Sequence, residues 1–250
     1  MFRAYARRYV RGHFHALRLA NPNPLLELPP GPLIVVMNHP AWWDPLIGLI
    51  LTELLPASRI HFAPIDEYGL AQYRFLRRLG FFGVEVGTTR GSLAFLRESL
   101  AILAQPGAVL WITAQGEFVD PRDRPIRLKE GVGHLAHRLP AGTILPLALE
   151  YPFWKDRCPE ALARFGTPIV ISGPEGWSPR DWTARVATAL EAAQDSLAEA
   201  ARLRDPAAFQ TIIAGSAGVG GVYDCWRRLR ARVRGESFHP EHRVSQHRQP

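Results

Sequence analysis

Two cysteines stand in 250 residues, Cys158 and Cys225, far apart and outside any CxxC spacing. That argues against a disulfide framework and a structural zinc site, and fits a reducing, cytoplasmic setting. A membrane-spanning helix needs roughly 20 mainly apolar residues. The longer uncharged stretches here are broken by prolines between Leu28 and Trp43, or by polar residues and glycines between Pro206 and Tyr223. The opening MFRAYARRYVRGHFHALRLA carries arginines throughout and no uninterrupted apolar core, so no secretory signal peptide is expected and Met1 is expected to start the mature chain. GxSxG is absent, which argues against the nucleophilic serine of a covalent hydrolase. The glycine-rich GSAGVGG lacks the Lys and Ser or Thr of a nucleotide P-loop and reads as a connector. No internal repeat is visible.

What is present is the composition of a globular chain, 47% hydrophobic and 21% charged, long enough to bury one core. The formal net charge of +7 favours a polyanionic partner: nucleic acid, an anionic bilayer or a phosphorylated substrate. No zinc finger, RRM or clear helix-turn-helix pattern accompanies it, so nucleic acid is not expected.

Apolar periodicity predicts a helix over 2–19, a proline-rich connector and a buried strand over 33–37. Helices near 43–55, 68–79 and 90–105 then alternate with strands 59–64, 82–86 and 108–113. Beyond a loop over 115–127 come a helix 130–139, strands 143–150 and 167–172, and a long helix of about 180–203. Such alternation predicts an α/β fold, a single mixed sheet flanked by helices. The expected divisions are residues 1–24 (N-terminal helix and connector), 25–204 (the domain) and 205–250 (Gly-rich connector, basic helix YDCWRRLRARVRG and tail).

The segment NHPAWWD follows the first buried strand. His39 should therefore sit at the carboxyl edge of the sheet, where α/β proteins place ligands. His39 and Asp44 are five positions apart and would diverge by about 140° on one helix. They meet only if His39 lies in the strand-to-helix turn. A His held in one tautomer by a carboxylate suits removal of a proton from a hydroxyl. With no serine nucleophile, the pair fits direct attack by an acceptor on an already activated acyl group. On the pair alone, a capping His and an early-helix Asp favoured by the dipole remain open.

The surrounding segments widen the comparison. NHPAWWD resembles the first block of the glycerolipid acyltransferase family, whose best-known members acylate lysophosphatidate: Asn-His, four residues, Asp. GFFGVEVGTTRGS resembles the second block, with Arg90 at the phosphate-binding position. Ile112-Thr113-Ala114-Gln115-Gly116-Glu117 stands where the third block reads Phe-Pro-Glu-Gly-Thr, so Gln115 replaces its Glu and Gly116 is kept. ILPLALEY around Pro146 is similar to the fourth, and all four occur in order over roughly residues 30–150.

The resemblance implies an O-acyltransferase moving a fatty acyl group from acyl-CoA or acyl-carrier protein to a hydroxyl of a lysophospholipid-like lipid acceptor. His39 would be the general base and Asp44 its orienter. Arg90 would bind acceptor phosphate, Gln115 and Gly116 would shape the acceptor pocket, and backbone near them would polarise the thioester carbonyl. No metal or bound cofactor is implied. The loss of the family Glu keeps open a non-phosphate acceptor such as a glycosylated isoprenoid or aminolipid. A catalytically silent lipid-binding protein of the membrane surface also remains open. Arg122, Arg124, Arg127 and Lys129 would meet a phosphate or phosphopantetheine, or form a solvated loop.

At 100° per residue, Phe2, Tyr5, Tyr9, Val10 and Leu17 share one side of the first helix, and Arg3, Arg7, Arg8, Arg11 and Arg18 another. This amphipathic pattern suits an anionic membrane surface, with the protein peripheral on its inner, cytoplasmic face, and equally a helix packed on the domain with its basic side in solvent. Trp42 and Trp43 would line an acyl channel, anchor at the interface or pack in the core.

Overall fold

In a computed structural model, which describes residues 2–26, 28–173 and 176–217, the apolar run LIVVM is a strand buried on both faces. The elements in chain order are α1 (Phe2–His13), β1 (Ala16–Ala20), β2 (Leu33–Met37), α2 (Asp44–Leu51), β3 (Ile60–Asp66), α3 (Glu67–Gln72), β4 (Phe81–Val84) and α4 (Thr89–Leu103). They continue with β5 (Ala108–Thr113), α5 (Gly131–Arg138), β6 (Gly142–Glu150), β7 (Glu160–Phe165), β8 (Ile169–Ile171), α6 (Pro179–Leu203) and β9 (Gln210–Ala214).

Nine strands among the described residues make one mixed sheet in the order β4, β3, β5, β2, β6, β7, β1, β9, with β8 also paired to β6. β2 runs parallel to β5 on one side and β6 on the other. The antiparallel pairs are β6 with β7, β6 with β8, and β1 with β9. Alternate side chains of β2 feed opposite cores, as the period of two requires. Leu33, Val35 and Met37 pack with α1 and α2, while Ile34 and Val36 pack with α4, α5 and α6. Helices on both faces explain why the central strands read as continuous apolar runs rather than alternating ones.

Helix α5 approaches α6 closely because Gly133 has no side chain. A Cβ there would lie 1.9 Å from the Pro179 carbonyl oxygen. Helix α6 starts on a capping box in which Ser178 and Asp181 satisfy each other's backbone N–H.

The helix expected over 2–19 ends at His13, and 16–20 is a strand. Leu17 and Arg18 therefore leave the helical face assigned to them. Arg18 is buried, its Nε donating to Glu160 Oε2 at 2.9 Å. On α1 itself Ala6 and Val10 are buried, Arg3, Arg8 and Arg11 are exposed, and Arg7 pairs with Glu53 at 2.6 Å. Strands β7 and β9 were also not expected. With β1 and β9 included, the sheet extends past the 25–204 span at both ends. The helix expected over 68–79 is α3 followed by a 3-10 turn, Arg74–Leu79. The basic segment YDCWRRLRARVRG and Cys225 lie outside the described residues.

Candidate active site

Where β2 ends, Asn38 continues the sheet with its side chain. Its amide nitrogen donates to the Leu149 carbonyl at 3.0 Å and its oxygen accepts the Leu149 N–H at 2.8 Å. This imitation of a strand pair satisfies the edge of β6 and frees the main chain to turn at His39. α2 then starts at Asp44, and the His39 ring turns back onto it. His39 Nδ1 lies 2.6 Å from Asp44 Oδ2, which also accepts the Ala41 N–H at 3.2 Å. The strand-to-helix turn thus brings together the two residues that one helix would separate.

Asp44 is completely buried and the His39 side chain is 18% exposed. A carboxylate can only accept, so the imidazole donates from Nδ1 and its basic lone pair is on Nε2. The second carboxylate oxygen is also held, since the Tyr151 hydroxyl donates to Asp44 Oδ1 at 2.6 Å. Burial, with the Asp44 charge, pushes the Tyr151 phenol well above its ordinary value, so it remains a donor.

His39 stands on the wall of a cleft of about 1130 Å³. Much of the remaining wall is apolar: Met37, Leu49, Phe62, Ile65, Leu93, Leu96 and Trp111. His61 also lines it, its Nδ1 accepting from Trp111 Nε1 at 3.1 Å. Burial, aided by the Arg3 and Arg59 charges, pushes this imidazole down to about 4. It is therefore neutral near pH 7. At the other side Phe118 covers the His39 ring, with centroids 4.3 Å apart, and the Val119 N–H donates to the His39 carbonyl at 3.0 Å.

The other expected residues are distributed differently. Gln115 is buried, and its side-chain oxygen accepts the His39 main-chain N–H at 2.8 Å. It clamps the His39 turn and is not part of the cleft wall. Gly116 does line the cleft, at φ +73°, where L side chains are disfavoured, and Lys129 packs across it. The Gly116 N–H donates to the Thr113 carbonyl, so it is engaged within the turn rather than pointed at a substrate.

Arg90 is exposed on the first turn of α4. Its neighbours Thr88, Thr89 and Ser92 reach the cleft wall, and Arg90 does not. Of the four loop cations, Arg122 pairs with Asp120 and Arg124 with Asp195, while Lys129 lines the cleft. Trp43 packs edge-on against Phe14 at 4.8 Å, and Trp42 is exposed. Neither lines the cleft.

Sequence reasoning gave no role to Asn38, Tyr151, Phe118 or His61. Asn38 was legible as part of the Asn-His pair. Tyr151 stands 107 positions from Asp44 and carries no local signal.

A family model described as Acyltransferase matches residues 22–150. Among solved structures the chain is similar to the crystal structure of the 1-acyl-sn-glycerophosphate (LPA) acyltransferase, PlsC, from Thermotoga maritima. The TM-score is 0.54 and the identity 13%, over 78% of each chain. At that identity the likeness shows a shared fold. Comparison with the curated proteins found no match. The family match spans more than half of the sequence and contains the His39–Asp44 turn, β5 and β6, so the chain belongs to the acyltransferase family.

Proposed function

We propose that this enzyme transfers a fatty acyl group from acyl-CoA or acyl-carrier protein to the hydroxyl of a lipid acceptor, with His39 as general base. The observation that carries the reading is the 2.6 Å contact of His39 Nδ1 with buried Asp44, made on the wall of a large, mainly apolar cleft.

In the proposed reaction, Nε2 of His39 takes the acceptor's hydroxyl proton as its oxygen bonds to the thioester carbonyl carbon. Asp44 stabilises the imidazolium that forms. The tetrahedral intermediate collapses, the C–S bond breaks, and the leaving thiolate takes the proton from His39. A thioester is already activated, so no acyl-enzyme is required.

The structurally similar PlsC is a 1-acyl-sn-glycerophosphate acyltransferase, which supports a lysophospholipid-like acceptor. A second reading, the same transfer to a lipid without phosphate, is favoured by the absence of Arg90 from the cleft wall. Exposed Arg3, Arg8 and Arg11, with exposed Tyr5 and Trp42, support a peripheral position on the cytoplasmic face of an anionic membrane. No described helix is long and apolar enough to cross one.

The test is incubation of purified protein with labelled acyl-CoA and acyl-carrier protein and a panel of lysophosphatidate, glycosylated isoprenoid and aminolipid acceptors. Transfer to a lipid hydroxyl, lost in His39→Ala, supports the proposal. Lipid binding without transfer from any donor would replace it with a silent binding protein.

A further inference from the structure

The dyad has a third member that the acyl-transfer scheme does not use. We propose that Tyr151 is a positioning residue: its hydroxyl holds Asp44 Oδ1 so that Oδ2 faces His39, and it weakens the grip of the carboxylate on the imidazole proton. This rests on the His39–Asp44 reading above.

Three features fix the arrangement. Asn38 bonds both main-chain groups of Leu149, two residues before Tyr151, so the end of β6 is tied to the residue preceding His39. The Tyr151 ring packs against Phe14, with centroids 5.7 Å apart. Asp44 is fully buried, and each of its oxygens has a protein donor: Tyr151 on Oδ1, His39 and Ala41 on Oδ2.

Two strong donors therefore share one carboxylate charge. A phenol hydrogen bond stabilises the ionised carboxylate and lowers its affinity for a second proton. Removing it concentrates the charge on Oδ2, which strengthens the attraction for a protonated His39 and raises the proton affinity of the pair. Protonated His39 cannot act as base, so the phenol keeps the base available at lower pH.

Other titratable groups surround the pair. Glu117 and Lys129 line the same cleft. Glu150 precedes Tyr151, its carboxyl pushed up by burial, with Arg122 opposing and Asp120 adding to the shift. On α1, the His13 ring lies 5.3 Å from that of Trp43. None of these is altered by replacing the hydroxyl.

The experiment is a titration of the His39 imidazole by nitrogen-15 NMR in wild type and Tyr151→Phe, the signal being assigned by its loss in His39→Ala. The phenylalanine keeps the ring packing. The midpoint should rise by about one unit, and kcat/KM on the acid limb should fall about tenfold, recovering at alkaline pH with KM for both substrates little changed. A purely structural role would lower activity at every pH without moving the midpoint, and an unmoved midpoint overturns the proposal. Should Tyr151→Phe not fold, 3-fluorotyrosine placed at position 151 is a stronger donor and should move the midpoint down; no movement overturns the proposal equally. If the midpoint moves but wild type transfers no acyl group from any donor, the proposed function falls and the positioning of the dyad by Tyr151 stands.

Discussion

The side-chain oxygen of Gln115 accepts the main-chain N–H of His39 at 2.8 Å, joining the loop after β5 to the strand-to-helix turn after β2. Gln115→Ala leaves that N–H without its partner at a partly buried position, which costs about 1–3 kcal/mol. We expect a lower melting temperature and reduced kcat. Gln115→Glu, which retains an acceptor oxygen, should preserve more of both. Equal melting curves and turnover for wild type and Gln115→Ala would remove the clamp.

His39→Ala should lower transfer by roughly 100- to 10,000-fold, the usual effect of losing a positioned base. Asp44→Asn keeps the shape but offers an amide to a partly buried imidazole, favours the wrong tautomer and cannot support the imidazolium. It should approach the His39 effect. Turnover measured on variants shown folded by circular dichroism decides both, and near wild-type rates in either would remove that residue from the mechanism.

For an anionic acceptor, Lys129 and Arg90 make different predictions because Lys129 lines the cleft and Arg90 does not. Lys129→Ala should raise the acceptor KM more than the donor KM, through loss of a charge-assisted contact to one substrate. Arg90→Ala should change it less. The opposite ranking would return the phosphate contact to Arg90.

The sheet centre was legible because β2 and β5 are continuous apolar runs, and β6 nearly so, each bounded by turns. β1 and β7 were not, because ALRLA and EALARF are rich in helix-forming residues and each carries charge. Their strand state is imposed by parallel pairing and by the buried Arg18–Glu160 contact, in which a charged residue faces inward instead of marking a solvent face. At the site, His39 and Asp44 were readable as a local spacing. Gln115 was visible as a departure from the family pattern, but its bond to a backbone 76 positions away was not.

The same buried network predicts a pH dependence of stability. His15 Nδ1 lies 2.6 Å from Glu160 Oε1, and Arg18 holds the other oxygen. The hydrogen bond to Glu160 is the main cause that raises the His15 imidazole above its ordinary 6.5, with burial opposing and the Glu160 and Asp156 charges adding. A raised folded value stabilises fully below about 6.5 and is lost as pH rises through it. The melting temperature of wild type relative to His15→Gln should therefore fall as pH rises above about 6.5. A constant difference would show that His15 does not gain its proton on folding. Glu160→Gln, which leaves Arg18 buried without its counter-charge, should cost about 3–5 kcal/mol.

Membrane contact is the last expectation, and the fold dictates how it must be tested. Deleting residues 1–19 would remove most of β1, which pairs with both β7 and β9, along with buried Phe14 and Leu17. Any loss of binding would then report unfolding. Reversing charge at Arg3, Arg8 and Arg11 leaves buried Ala6 and Val10 and the Arg7–Glu53 pair in place. Each basic group near an anionic surface contributes about 1 kcal/mol, so the triple Glu variant should sediment far less with anionic vesicles at low salt. Screening confines such attractions to about 8 Å at physiological ionic strength, so the difference from wild type should shrink as salt rises, and neutral vesicles should bind both forms weakly. Equal sedimentation of the two proteins at every salt concentration would shift the contact from α1 to the exposed apolar groups, Trp42 foremost among them.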